Sequence, residues 1–144
     1  MAAEKIHLRI LTAESEKANE EADMVIMRCI NGDIGFLPNH EPYSVVLDTG
    51  VTRILRNGSE RKIAVFGGLA EIQDNKLTIL TTTAQWPEDI DLASVKEECG
   101  AARQSLRESS GDEERQKNQA LLRRALVQIE VGEHRPEPED NQQA

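Results

Sequence analysis

The chain has 144 residues, of which 38% are hydrophobic and 30% are charged, a composition typical of a soluble globular protein. Its length suits one ordinary domain or two small ones. The formal net charge of −9 argues against a nucleic-acid-binding protein, because neutralising phosphate groups requires a basic surface. No apolar run approaches the ~18 residues of a membrane span, and the N-terminus lacks a secretory or transit pattern. We therefore expect any association with a membrane to run through another protein.

Up to Trp86 the residues follow the period of two that is typical of half-buried strands. Ile6, Leu8 and Ile10 alternate with polar residues. Further strand-like runs follow at 24–30, 51–55, 62–66, 69–72 and 77–82. Turn residues separate the runs, and the Asn-Gly pairs at 31–32 and 57–58 suit type I′ hairpins. This spacing predicts an antiparallel sandwich or barrel, and we assign residues 1–86 to a β-sandwich domain.

After Pro87 the apolar spacing becomes helical. Asp91 is a good N-cap for a first helix. Its narrow apolar seam has intervals of three and four residues, at 92, 95, 99, 102 and 106.

A second helix follows the polar break at 109–112. Ser110 with Glu113 matches a capping box at its start, and its apolar face comprises residues 122, 125, 126 and 129. We predict an antiparallel two-helix hairpin over residues 87–131, marginally stable by itself because both stripes are narrow. Residues 132–144 have prolines, acids and no apolar pattern, which predicts a disordered acidic tail.

The two cysteines, Cys29 and Cys99, form neither a CxxC pair nor a metal-ligand cluster. We expect both to be buried free thiols, which favours a reducing compartment.

The most distinctive stretch of the sequence, residues 32–43, contains His40 and Glu41. As a catalytic pair, with His40 as general base, they would define a small hydrolase. Adjacent side chains on a strand point to opposite faces, however, and no serine or cysteine has the signature of a nucleophile. His40 also lacks companions for a metal site. We interpret His40 as a structural or interface residue, in a loop stiffened by Pro38 and Pro42, and expect no catalytic or metal site.

Two further features have competing interpretations. Gly67-Gly68 lacks the GxxxxGK[ST] pattern of a phosphate-binding loop, so a bulge or tight corner is favoured. The second helix has a local net charge of +3 between 115 and 131, set against an acidic chain. This basic segment is either a solvated surface or a docking site for an acidic partner. Its basic residues are Arg115, Lys117, Arg123 and Arg124.

The order of these features resembles the epsilon subunit family of bacterial-type rotary ATP synthases, called delta in mitochondria. The segment Gly-Asp-Ile-Gly-Phe-Leu-Pro-Asn-His at 32–40 resembles the G-x-x-G-x-x-P-x-H loop of that family. The segment Gly-Gly-Leu-Ala-Glu-Ile-Gln at 67–73 resembles its glycine pair before a strand, and Ala-Leu-Leu-Arg-Arg-Ala-Leu at 120–126 resembles its second helix. The resemblance extends over about residues 6–131.

The resemblance implies a non-catalytic rotor subunit of the central stalk, which couples rotation of the catalytic head to ion translocation. Its partners would be the gamma subunit, the c-subunit ring and the alpha and beta subunits, at the cytoplasmic face of the cell membrane. The sandwich would bind gamma and would contact the c-ring through Asp33, Asn39, His40 and Glu41. The hairpin would fold against the sandwich or extend along gamma. When extended it would inhibit ATP hydrolysis, with an acidic segment of a beta subunit meeting Arg115, Lys117, Arg123 and Arg124.

Some members of that family bind ATP through an I/L-D-x-x-R-A pattern at the first helix. The present chain matches it at Ile90-Asp91 but has Ser94 and Val95 in place of Arg and Ala, which removes a fixed charge suited to phosphate. We therefore expect no cofactor, or weak ATP binding through Asp91, Arg103 and Arg107. A different class of function also fits the sequence, that of a free-standing adaptor whose hairpin binds an acidic protein.

Overall fold

The computed structural model describes residues 4–134. The strands are β1 Ile6–Leu11, β2 Glu16–Ala22, β3 Met24–Cys29, β4 Gly32–Phe36, β5 Tyr43–Arg56, β6 Ser59–Gln73, β7 Lys76–Leu80 and β8 Ala84–Gln85. A short 3₁₀ turn at Pro87–Asp89 leads into the helices α1 Leu92–Glu108 and α2 Asp112–Glu133. This order confirms the predicted β-sandwich followed by a two-helix hairpin. Within residues 4–134, no helix is long and apolar enough to cross a membrane.

The strands form one continuous sheet that folds over itself, in the order β2-β1-β7-β6-β5-β3-β4, with β8 paired to β6. Neighbouring strands are antiparallel except β1 and β7, which are parallel, so the all-antiparallel prediction is wrong for this pair. Between the two layers lies the main apolar core, whose largest side chains include Phe36, Ile63 and Ile72. Every buried residue of this core that the structure describes lies on a strand.

Strand β6 bends at Gly67 and Gly68, where φ is +76° and +125°. Before the bend β6 pairs with β8, and after it β6 pairs with β7. A Cβ atom on Gly68 would overlap the carbonyl oxygen of Leu80, so the strands can approach only because this residue is glycine. The interpretation of Gly67-Gly68 as a tight corner is therefore confirmed.

Several local predictions differ from the structure. Strand β2 was missed, because its sequence is polar and only Ala18 and Ala22 are buried. The loop expected over residues 32–43 begins as strand β4. Of the Asn-Gly pairs, the one at 57–58 has positive φ at both residues, as a type I′ turn requires. At 31–32 only the glycine has positive φ, and the two-residue turn is at 30–31.

The hairpin matches the prediction in α1 and departs from it in α2. Asp91 caps α1 by accepting a hydrogen bond from the Ser94 N–H at 3.3 Å. In α2 the N-cap is Gly111 rather than Ser110, and Leu126 is 42% exposed rather than packed. The prediction of one apolar face on α2 was wrong because the helix packs against two neighbours. Ala125 is buried against α1, and Val131 is buried against the sandwich.

Helix α2 runs to Glu133, two residues into the range predicted as tail, and the rest of that prediction, from residue 135, lies outside the described residues. Cys29 and Cys99 are buried and free, as predicted.

We expect Gly68→Ala to lower the free energy of unfolding by roughly 2–5 kcal/mol, because the new Cβ meets backbone and φ is unfavourable for an L-residue. Gly100→Ala is the matched control. Gly100 lies within α1 with open space around its Cα, so the same change should stabilise the chain by about 1 kcal/mol. Urea unfolding followed by circular dichroism measures both, and equal stability of Gly68→Ala and wild type would contradict the corner.

A second expectation concerns Asp23, whose carboxylate accepts hydrogen bonds from the Lys5 ammonium and from the Asn57 N–H. These bonds, that of Lys5 first, hold the pKa of Asp23 below its usual 3.8. A lowered carboxyl pKa stabilises the fold above pH 3.8, and this contribution is lost as the pH falls below that value. The side chain is 38% exposed, so Asp23→Asn should cost less than about 1 kcal/mol at pH 7. Thermal unfolding should show this difference shrink as the pH falls through 3.8 and below, and a difference that stays constant would contradict the assignment.

Candidate interaction surfaces

The loop between β4 and β5 is held by a small aromatic cluster around His40. The His40 ring meets Phe36 edge-on with ring centroids 4.9 Å apart, and its centroid is 6.0 Å from that of Tyr43. His40 Nδ1 lies 2.6 Å from the carbonyl oxygen of Glu41. That oxygen can only accept, so Nδ1 carries a proton and Nε2 is the acceptor in the neutral ring. The contact of His40 with Glu41 is therefore a backbone contact that shapes the loop.

Asn39 fastens the same loop to the turn between β6 and β7. Asn39 has φ of +67°, and its N–H donates to Asn75 Oδ1 at 2.6 Å. The loop residues 39–41 are therefore exposed or half-buried but fixed from two sides, as suits a contact surface.

Asp33, the fourth residue predicted to contact the c-ring, lies elsewhere. It is on β4 opposite Arg28 of β3, with Arg28 Nη1 at 3.4 Å from its Oδ1. It also lines a cavity of about 320 Å³ together with Arg123 of α2. The structure thus groups residues 39–41 with the β6–β7 turn and associates Asp33 with the side of the sandwich that faces α2.

An exposed apolar row crosses the outer face of the sandwich. Val46 of β5 pairs with Leu69 of β6, and Leu69 pairs with Leu80 of β7, so the three side chains point to the same face. Ile30 lies next to Val46, because its N–H donates to the Val46 carbonyl oxygen. On the other side of the row, Leu11 of β1 pairs with Leu80. The side chains of Ile30, Val46, Leu69 and Leu80 are 47–61% exposed. Such a contiguous apolar surface marks an interaction site.

The sequence analysis did not predict this apolar row, although the sequence shows it as apolar residues at strand positions that should be polar. In the part of β6 after the bend the buried residues are Ala70 and Ile72, so the apolar Leu69 falls outside the alternation. In β7 the buried residues are Leu77 and Ile79, and Leu80 falls outside it in the same way.

The four basic residues of α2 separate into two pairs. Arg115 and Lys117 are exposed in the first turns of the helix. Arg123 Nη1 lies 2.9 Å from Asp48 Oδ2 on β5. The guanidinium carbon of Arg124 lies 3.9 Å from the centre of the Phe66 ring.

We call the sandwich residues that receive α2 the docking surface: Asp48, Val51, Glu60, Lys62, Ala64, Phe66 and Gln85. Lys62 Nζ lies 3.4 Å from Glu130 Oε2, and Gln128 Nε2 donates to Gln85 Oε1 at 2.8 Å. His134 Nε2 lies 2.9 Å from the carbonyl oxygen of Glu60. The apolar part is a small cluster in which Val131 is fully buried. Sequence reasoning did not find this surface, because it depends on how α2 is oriented.

The three predicted ATP contacts are not brought together. Asp91 caps α1, whereas Arg103 and Arg107 lie on the same helix twelve and sixteen residues further along. At the rise of an α-helix these separations are about 18 and 24 Å, too far for one phosphate group.

Comparisons with known proteins cover both parts of the chain. Residues 5–87 match the family model "ATP synthase, Delta/Epsilon chain, beta-sandwich domain", and residues 88–133 match its "long alpha-helix domain". The chain is 35% identical to the ATP synthase epsilon chain of Herpetosiphon aurantiacus, over 90% of this chain and 96% of that one. It is 39% identical to that of Desulfitobacterium hafniense strain Y51, over 81% and 88%. It is 33% identical to the chloroplastic epsilon chain of Spinacia oleracea, over 88% and 94%.

Among solved structures, a chain of the Euglena gracilis mitochondrial ATP synthase, described as OSCP/F1/c-ring, has the same fold. The TM-score is 0.76 at 22% identity, over 90% of this chain and 82% of that one. The chain therefore belongs to the ATP synthase delta/epsilon family, as an epsilon chain of the bacterial type, and is a non-catalytic subunit of the central stalk.

Proposed function

We propose that the sandwich of this subunit binds the gamma subunit and the c-ring, and that its hairpin restrains ATP hydrolysis. The apolar row is the observation that carries the proposal. Its four exposed side chains belong to neighbouring chain segments of one rigid sheet, so a partner can cover them without any change in the fold. We assign the row to gamma, because a permanent rotor contact favours an apolar surface.

The loop at residues 39–41 is the candidate contact with the c-ring. Its support is the rigidity of the loop, since the His40 ring packs on Phe36 and Asn39 is bonded to Asn75. A rotating joint must transmit torque, which a flexible loop does poorly. Asp33 remains a candidate for contact with the c-ring, although it lies apart from residues 39–41. It would take part only if the c-ring also contacted β4.

The hairpin carries the proposed regulation. Its basic residues suit an acidic segment on a beta subunit within the ring of alpha and beta subunits. Arg115 and Lys117 are exposed when the hairpin is docked, whereas Arg123 and Arg124 contact the docking surface. Full use of all four residues therefore requires the hairpin to leave the sandwich.

The chain would work at the cytoplasmic face of the cell membrane, as a peripheral member of a membrane-associated complex. The similarity to bacterial epsilon chains and the two buried free thiols support this location. A free-standing adaptor is not favoured, because the similarity to ATP synthase chains spans both the sandwich and the hairpin.

We expect deletion of all residues after Trp86 to preserve binding to gamma and to raise ATP hydrolysis by the assembled enzyme. The sandwich should remain folded without the hairpin, because its core comes from the strands. Thermal unfolding of the shortened chain checks this point. Unchanged hydrolysis in a folded, assembled complex would contradict the regulatory role, and failed assembly would contradict the division of labour.

We expect Leu69→Glu to weaken binding to the gamma subunit by at least about tenfold, because it buries a charge in the centre of the apolar row. Leu121→Glu on α2 is the matched control. Leu121 is 49% exposed, close to the 52% of Leu69, but lies on the hairpin. A pull-down with gamma measures both, and an equal loss for the two variants would point away from the row.

A further inference from the structure

The outer face of the sandwich changes from apolar to charged along strands β6 and β7. Alternate residues of a strand point to the same face, so Leu69, Glu71 and Gln73 of β6 lie in one line. The register sets Glu71 beside Thr78 and Gln73 beside Lys76 on β7. Two polar rows therefore follow the apolar row towards the turn between the two strands.

Glu71 and Lys76 are the charged residues of these two rows. Both are exposed, and within residues 4–134 neither side chain forms an ion pair or a hydrogen bond. Other charges of the sheet are paired inside the chain, as Arg9 is with Glu16 on the neighbouring strand. Glu71 and Lys76 thus keep their full capacity to bind charged groups of another molecule.

An open depression of about 410 Å³ lies on this part of the face. We call the polar residues that line it the polar border: Glu71, Gln73, Asp74, Lys76 and Thr78. An apolar centre with a rim of polar and charged groups is the usual anatomy of a protein interface. The polar border has the position of such a rim beside the apolar row.

We propose that Glu71 and Lys76 extend the surface for gamma and determine how gamma is oriented on it. This inference rests on the proposed function, which assigns the apolar row to gamma, and it adds the residues that select the partner. A partner that covers Leu69 meets Glu71 about 7 Å further along the strand and Lys76 after about 13 Å. Gamma must therefore present an apolar, a basic and an acidic side chain in this order.

The direction of the side chains favours gamma over the c-ring as the partner of the polar border. Glu71 and Lys76 point out of the same face as Leu69, so a partner seated on the apolar row covers them. The loop at residues 39–41 is bonded instead to Asn75, in the turn at the end of the two strands. A partner on that loop approaches the end of the strands and not their face.

Exposed charges of this kind select a partner more than they add affinity. One ion pair at an exposed rim changes an affinity by about two- to fivefold. Reversing a charge replaces an attraction by a repulsion, so its effect should be about tenfold.

The first test measures binding of the full chain to the gamma subunit by calorimetry. We expect Glu71→Lys to weaken binding about tenfold, because the new ammonium group repels the basic side chain of gamma. The matched control is Glu97→Lys, the same change at an exposed position of α1. Both positions are exposed, so both variants should unfold at the wild-type temperature. Equal affinities of the two variants for gamma would overturn the proposal.

The second test exchanges the two charges. Glu71→Lys combined with Lys76→Glu keeps the net charge and reverses the order of the charges on the face. We expect the double variant to bind gamma at least about tenfold more weakly than wild type, since both charges are then opposed. Recovery of wild-type affinity would overturn the role of the charge order. Salt at about 0.5 M should reduce the difference by screening, and a difference that ignores salt would overturn the electrostatic origin.

The variant Leu69→Glu separates this proposal from the proposed function. If Leu69→Glu weakens binding to gamma and Glu71→Lys does not, the polar border has no role and the apolar row stands. If Glu71→Lys weakens binding and Leu69→Glu does not, the assignment of the apolar row to gamma fails alone. Loss of c-ring binding with unchanged gamma binding in Glu71→Lys would give the polar border to the c-ring and overturn its assignment to gamma.

Discussion

The close approach of β6 to the end of β7 at Gly68 is the constraint on which both interaction surfaces depend. Without a Cβ atom and with positive φ, Gly67 and Gly68 let one long strand serve two layers of the sandwich. Phe66, just before the bend, lies on the side that receives α2. Leu69, just after it, lies in the outward apolar row. A substitution at the bend would therefore disturb both the packing of α2 on Phe66 and the apolar row that contains Leu69, although the glycines take part in neither.

The molecule has a clear order of stability. The sandwich is a closed core of strand residues, whereas α2 is joined to it by a thin surface of paired charges and a few apolar contacts. The hairpin itself has an internal anchor. Buried Asn118 donates to the Ser105 carbonyl at 3.3 Å and to Ser109 Oγ at 2.7 Å. The two helices are thus tied to each other near their turn, independently of the sandwich. Opening should begin at the docking surface, where exposed charge pairs and a few apolar side chains hold α2.

Sequence periodicity captured what depends on near neighbours in the chain. The strand alternation, the two helices, the Asp91 cap and the glycine corner all follow from local rules. Features that depend on pairing between residues far apart in the sequence could not be predicted from periodicity. The apolar row exists only in the register that sets Leu69 beside Leu80, and β2 is a strand because it pairs with β1 despite its polar sequence. Leu126 was misassigned for the same reason, since the second neighbour of α2 is not encoded in its own spacing.

The charges of α2 also restrict which partner can replace the sandwich. In the docked state Arg123 meets Asp48 and Glu130 meets Lys62, so opposite signs seven residues, or about 10 Å, apart fix the register of the helix. A uniformly acidic partner is attracted along residues 115–124 and repelled by the acidic first turn at 112–114 and by Glu130. Its contact should therefore end before the last turns of the helix. The sandwich, with both signs, matches the segment from Arg123 to Glu130, and an acidic partner matches the segment from Arg115 to Arg124. Arg123 and Arg124 lie where these two segments overlap, so they are the basic residues of α2 that already have contacts on the sandwich.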